Sequence, residues 1–193
     1  MRLAEVEIYT LDELPERSQE KAYDYWVSAC DYGWGGENTQ SLKKFEEHMP
    51  IKIKDWEYDT YSYNVRFELN VDDGVEELTG VRLATWLWNH YNYVLYTGKW
   101  YGKFYPKVRR SRILLEENSP TGYCIDYSLW QPIRDFINKP DSRNLKELIQ
   151  DCLDNWGRDC SNDYADSMSK ERFIEEASEC EYMFTIDGKQ YYE

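Results

Sequence analysis

The chain has 193 residues, 37 acidic against 23 basic side chains, a formal charge of −14 and an aromatic fraction of 17%. A hydrophobic fraction of 41% supports a packed core, which excludes a disordered chain despite a mean hydropathy of −0.83. No apolar run has the length that spans a bilayer, and the opening residues carry acids where a signal peptide needs an apolar stretch. The expectation is one cytosolic domain, residues 1–193, with residues 141–180 as its helical C-terminal portion.

In chain order, "AEVEIY" alternates and predicts a short strand. A helix follows from Leu14 to Ala29, with Pro15 in its first turn and Ala22, Tyr25, Trp26 and Ala29 as its apolar stripe. Gly33, Gly35 and Gly36 in "DYGWGGENTQ" predict a loose break, and "SLKKFEEHM" a second short helix ending before Pro50. In "YSYNVRFELNV" every odd position from Tyr61 to Val71 is apolar or aromatic, the pattern of a half-buried strand. The preceding "IKIKDWEYDT" slips phase between Ile53 and Trp56, so a bulge near Asp55 and a turn at Asp59–Thr60 complete an antiparallel hairpin.

Leu78 to Tyr91 is apolar nearly all round and predicts a buried helix that uses Trp86 and Trp88 as core. "SRILLEENSPTGYC" fits either a helix end or a strand before a Ser-Pro-Thr-Gly turn. "SLWQPIRDFINKP" predicts a short helix with Pro132 in its first turn, residues 142–169 a long one, and "SKERFIEEASEC" a last one capped by Ser169. Asp187–Gly188 turns a closing hairpin whose strands stand to pair with the first. Together these elements predict an α+β fold, an antiparallel sheet of central hairpin and terminal strands packed with about six helices.

Motifs for chemistry are missing. Five cysteines without a C-x-x-C read as reduced thiols, and His48 and His90 are too isolated for a zinc site. No nucleophile elbow, P-loop, dinucleotide fingerprint or H-E-x-x-H is present, so neither catalytic residues nor a cofactor is expected. Asp72, Asp73, Glu76 and Glu77 form the one acidic cluster able to suggest a metal-assisted enzyme, but they lack calcium-loop spacing and read more simply as a solvated turn.

Charge is segregated. Residues 1–98 balance to −10, 99–112 to +6, 113–140 to −2 and 141–193 to −8. On the long helix, Asp151, Asp154, Asp159, Asp163 and Asp166 fall mostly off the stripe of Leu145, Leu148, Ile149, Cys152 and Trp156. Steps of three to five residues set such carboxylates roughly 5–7 Å apart along the axis, a spacing that mimics phosphates. Either this helix occupies a groove built for nucleic acid on a basic protein partner, or it is a solvated face. The cations Lys99, Lys103, Lys107, Arg109, Arg110 and Arg112, interleaved with Trp100, suit a single-stranded nucleic-acid site or pairing with carboxylates of the same chain or a second copy. The surrounding negative field favours the pairing, and with it a possible homodimer, over direct nucleic-acid binding.

"EVEIYTLDELPERSQEKAYDYW" resembles the start of a diffuse family of small acidic proteins encoded by bacteriophages and prophages, with Glu13, Leu14, Glu16, Lys21, Ala22 and Trp26 on its pattern and Pro15 and Ser18 departing from it. Ile51 to Leu69 resembles the hairpin of these proteins, and "FTIDGKQYY" their tail. The family carries an antitoxin-like label and no established chemistry. The resemblance implies an accessory protein in the cytoplasm of an infected bacterium. With the charge, it implies an inhibitor of a host defence complex of anti-CRISPR or anti-restriction type, held by an acidic, aromatic-rich surface. A nucleic-acid-binding accessory protein using residues 99–112 is the alternative.

Overall fold

The computed structural model describes residues 6–99 and 114–192. The fold is α+β. Its elements are α1 (Glu16–Ala29), α2 (Gly35–His48), β1 (Ile51–Tyr58), β2 (Tyr63–Leu69), α3 (Gly80–Leu95), β3 (Tyr96–Lys99), β4 (Leu114–Glu117), α4 (Asp126–Asn138), α5 (Leu145–Ser167), α6 (Lys170–Glu179), β5 (Met183–Phe184) and β6 (Gln190–Tyr191). The strands form three separate antiparallel pairs among the described residues, β1 with β2, β3 with β4 and β5 with β6, so the central hairpin and the terminal strands do not share one sheet. The chain divides into two compact units at Gly33/Trp34 and at Ser161/Asn162.

In the central unit, residues 34–161, α2 starts at Gly35, earlier than expected. Gly35 and Gly36 occupy its first turn. The hairpin carries the expected register shift between Ile53 and Asp55. Asp59 closes its turn by accepting from the amides of Tyr61 (2.7 Å) and Ser62 (2.8 Å).

Helix α3 is more exposed than its composition suggested. Leu83, Ala84, Leu87, Val94 and Leu95 are buried, whereas Val81, Trp88 and Tyr93 face solvent, and only Trp86 of the two tryptophans packs on the core. The undecided segment resolves as strand β4, whose end is tied to buried Arg134 through the Asn118 carbonyl.

Helix α4 begins at Asp126, so Pro132 lies in its interior rather than its first turn. Proline has no N–H to give the carbonyl four residues back. Asn155 of α5 supplies the missing donor, its Nδ2 reaching Ser128 O at 3.2 Å. In the core beside it, Phe45 meets Trp130 edge-on at 4.7 Å, and the Trp156 indole donates to Ser41 Oγ at 3.1 Å, all four residues being essentially inaccessible.

The other unit combines both ends of the chain, residues up to Gly33 and from Asn162. Its core is Leu14, Ala22, Phe173, Ala177 and Phe184, with Tyr23 and Trp26 packed alongside. Within the described residues of the expected first strand there is one antiparallel bridge, in which Tyr9 and Phe184 exchange two backbone hydrogen bonds of 2.8 Å. Ser169 caps α6 as expected, accepting from Arg172 N at 3.2 Å. The β5–β6 turn presses against α1. Gly188 has φ +85°, and a Cβ there would lie 2.3 Å from Ser18 O, so only glycine fits. Ser18 Oγ in turn donates to Ile186 O at 2.7 Å.

Candidate functional site

The terminal unit holds a half-open groove of about 560 Å³. One wall is the apolar stripe of α1 read from sequence: Ala22, Tyr25, Trp26 and Ala29 all line it. Only Ala22 of these is buried, and Tyr25 is 50% exposed, so the stripe serves less as covered core than as the face of an open site. Phe173 and Glu176 of α6 line the groove beside Trp26, as do Gln190 and Tyr192 from beyond the Gly188 turn.

Glu176 is the polar centre. Its Oε1 accepts the Tyr182 hydroxyl at 2.6 Å and the Trp26 indole N–H at 3.3 Å. Both bonds fall on one oxygen, which orients the carboxylate and leaves Oε2 outside them. The bond to Glu176, then burial and the Glu176 charge, hold the Tyr182 phenol well above its ordinary value, so it stays a neutral donor. Tyr23, Trp26, Phe173 and Phe184 pack with centroids 5.4–6.3 Å apart, and Trp26, Phe173 and Phe184 of this cluster line the groove.

Cys30 also lines the groove, but burial and the nearby Glu176 and Asp31 carboxylates push its thiol up, away from the thiolate a nucleophile needs. Lys189 at the rim is engaged by Asp187 at 3.3 Å. What these residues offer a ligand is aromatic faces and an oriented anion.

Two other concavities, both in the central unit, contain ion pairs within or beside their lining. Along the hairpin, Lys54 pairs with Glu68 at 2.7 Å and Arg66 with Asp55 at 2.5 Å. Between α4 and α5, Arg143 binds Asp141 at 2.8 Å and Asp151 at 2.5 Å.

The five aspartates of α5 are divided between the two units. Asp151, Asp154 and Asp159 belong to the central unit, Asp163 and Asp166 to the terminal one. Helical spacing turns Asp159 about 140° away from Asp154. Asp151 shares Arg143 with Asp141, Asp154 accepts from Gln150 Nε2 at 2.8 Å, and Asp163 accepts the Tyr32 hydroxyl at 2.5 Å. Of the basic set, Lys99 closes β3, while Trp100, Lys103, Lys107, Arg109, Arg110 and Arg112 lie outside the described residues. Asp72, Asp73, Glu76 and Glu77 are exposed before α3, and among the described residues no three His, Cys, Asp or Glu side chains group to hold a metal.

The two units differ sharply in charge. The segments 1–33 and 162–193 hold 6 basic and 17 acidic side chains, a formal charge of −11; residues 34–161 hold 17 and 20, or −3. The groove therefore belongs to the strongly acidic third of the chain. Glu176 and Tyr182 escaped the sequence reading because nothing local marks them. The signal was the abundance of aromatics at both ends, combined with terminal strands that pair. No family model, curated protein or solved structure matches the chain.

Proposed function

We propose that this chain is a non-catalytic inhibitor that docks on a basic, nucleic-acid-handling surface of a protein partner, with its terminal unit as the docking face. The carrying observation is the −11 formal charge of segments 1–33 and 162–193. A surface of one sign attracts its opposite, speeds encounter and repels competing polyanions. Exposed Glu171, Glu175 and Glu179 recur at four-residue steps on α6; Arg172 lies 3.7 Å from Glu175, an exposed pair that a stronger cationic partner can replace, and such a row presents anions to a channel built for phosphates. The resemblance to phage accessory proteins supports a host defence complex as that partner.

Affinity capture from bacterial lysate at low salt tests this. A retained nucleic-acid-handling protein that elutes with salt, is competed by duplex DNA and is lost on reversal of Glu171, Glu175 and Glu179 to Lys supports the reading. Capture that DNA does not compete, or that survives the reversal, overturns it.

A further inference from the structure

We infer that the groove between α1 and α6 is a receptor for a guanidinium group, an arginine side chain of the protein partner, held by Glu176 and the aromatic residues around it. This rests on the docking reading for its partner, but its chemistry stands on the groove itself.

Three features converge. First, the volume of about 560 Å³ is that of a pocket for one extended side chain with part of its backbone, within the usual range of small-ligand sites. Second, Trp26, Tyr25, Phe173, Tyr182 and Tyr192 line it, and aromatic rings attract cations, Trp most strongly. Third, Glu176 sits among them with its Oε1 fixed by two donors and Asp31 close by, which leaves an anionic oxygen for a ligand. Guanidinium answers all three at once: it is planar, stacks on aromatic faces and donates in a fork to a carboxylate.

The one lining cation, Lys189, is held by Asp187, which lies outside the lining, so a cationic ligand does not meet a free ammonium. A nucleic-acid base would also stack on these rings, but its phosphates would meet the −11 charge of the unit.

The test uses the full-length protein and a single blocked amino acid, N-acetyl-arginine methylamide, titrated at low salt while the indole N–H resonances are followed by NMR. The Trp26 signal is assigned with Trp26→Phe. The expected result is a saturable shift of the Trp26 signal, in the millimolar range fitting one side chain, with no shift from the neutral citrulline analogue. Glu176→Gln should weaken binding at least tenfold. Lys189→Glu should strengthen it severalfold, a gain that damage to the fold cannot mimic.

No saturable shift, equal binding of citrulline, or a stronger response of the same residues to oligothymidylate overturns the inference. Failures separate cleanly. Arginine binding without any retained nucleic-acid-handling partner sinks the docking reading and spares the groove. Capture of such a partner unchanged by Glu176→Gln, with no arginine response, sinks the groove alone.

Discussion

The Tyr182 hydroxyl donates to Glu176 Oε1 at 2.6 Å, joining the residue before β5 to α6. This bond keeps the phenol neutral, so its ordinary value near 10 is raised in the fold.

The pH dependence follows from that sign. A raised pKa means the native state prefers the protonated phenol, so this stabilisation is complete below about pH 10 and disappears as pH climbs through the higher folded value. Tyr91, pushed up to about 12 mainly by burial, acts in the same direction in the central unit. Stability should therefore decline above about pH 10. In denaturant midpoints measured from pH 8 to 12, Tyr182→Phe should reduce this alkaline slope without abolishing it. An unchanged slope would show that the phenol is not held neutral by Glu176.

Gly188 is the second lever. Alanine there combines a left-handed backbone angle with a Cβ 2.3 Å from Ser18 O and 3.2 Å from Ala22 N. Strain and overpacking together predict a loss of about 2–4 kcal/mol. Gly36 in the first turn of α2 has nothing within 4 Å of its would-be Cβ, so Gly36→Ala should be neutral or stabilising by up to about 1 kcal/mol. Equilibrium unfolding of the two variants checks the contrast, and comparable effects from both would mean the turn is not seated on α1.

Asp126 is the third. It is buried, 3% exposed, and accepts from Ser119 Oγ at 2.6 Å, Gly122 N at 2.9 Å and Thr121 N at 3.0 Å, as well as from Thr121 Oγ1. One carboxylate thus folds the Ser-Pro-Thr-Gly turn onto the start of α4. Asp126→Ala strips the acceptor from several donors and should cost about 2–3 kcal/mol, with Asp126→Asn, which keeps one oxygen, costing less. Chemical denaturation of both variants measures this; an Ala variant as stable as the parent would show that the turn stands without its carboxylate.

Much of the fold was legible locally. Period-two alternation placed the hairpin and its bulge at Asp55, Ser169 marked the start of α6, and Asp187–Gly188 marked the last turn. These signals depend on the backbone geometry of a few neighbouring residues, which no distant contact overrides. Where distant contacts do decide, the reading moved. Pro132 sits mid-helix because Asn155 replaces its lost donor, and α3 leaves Trp88 in solvent despite its apolar run.

The site lies on the far side of that division. By itself the sequence determined an acidic, aromatic-rich α+β chain, because charge and hydrophobic period are properties of residues in order. Only the tertiary structure brought Trp26 to Glu176 and Tyr182 across some 150 positions, in the unit that carries −11 of the net charge of −14. Such closure is decided by which surfaces bury against each other, a choice that no local pattern encodes.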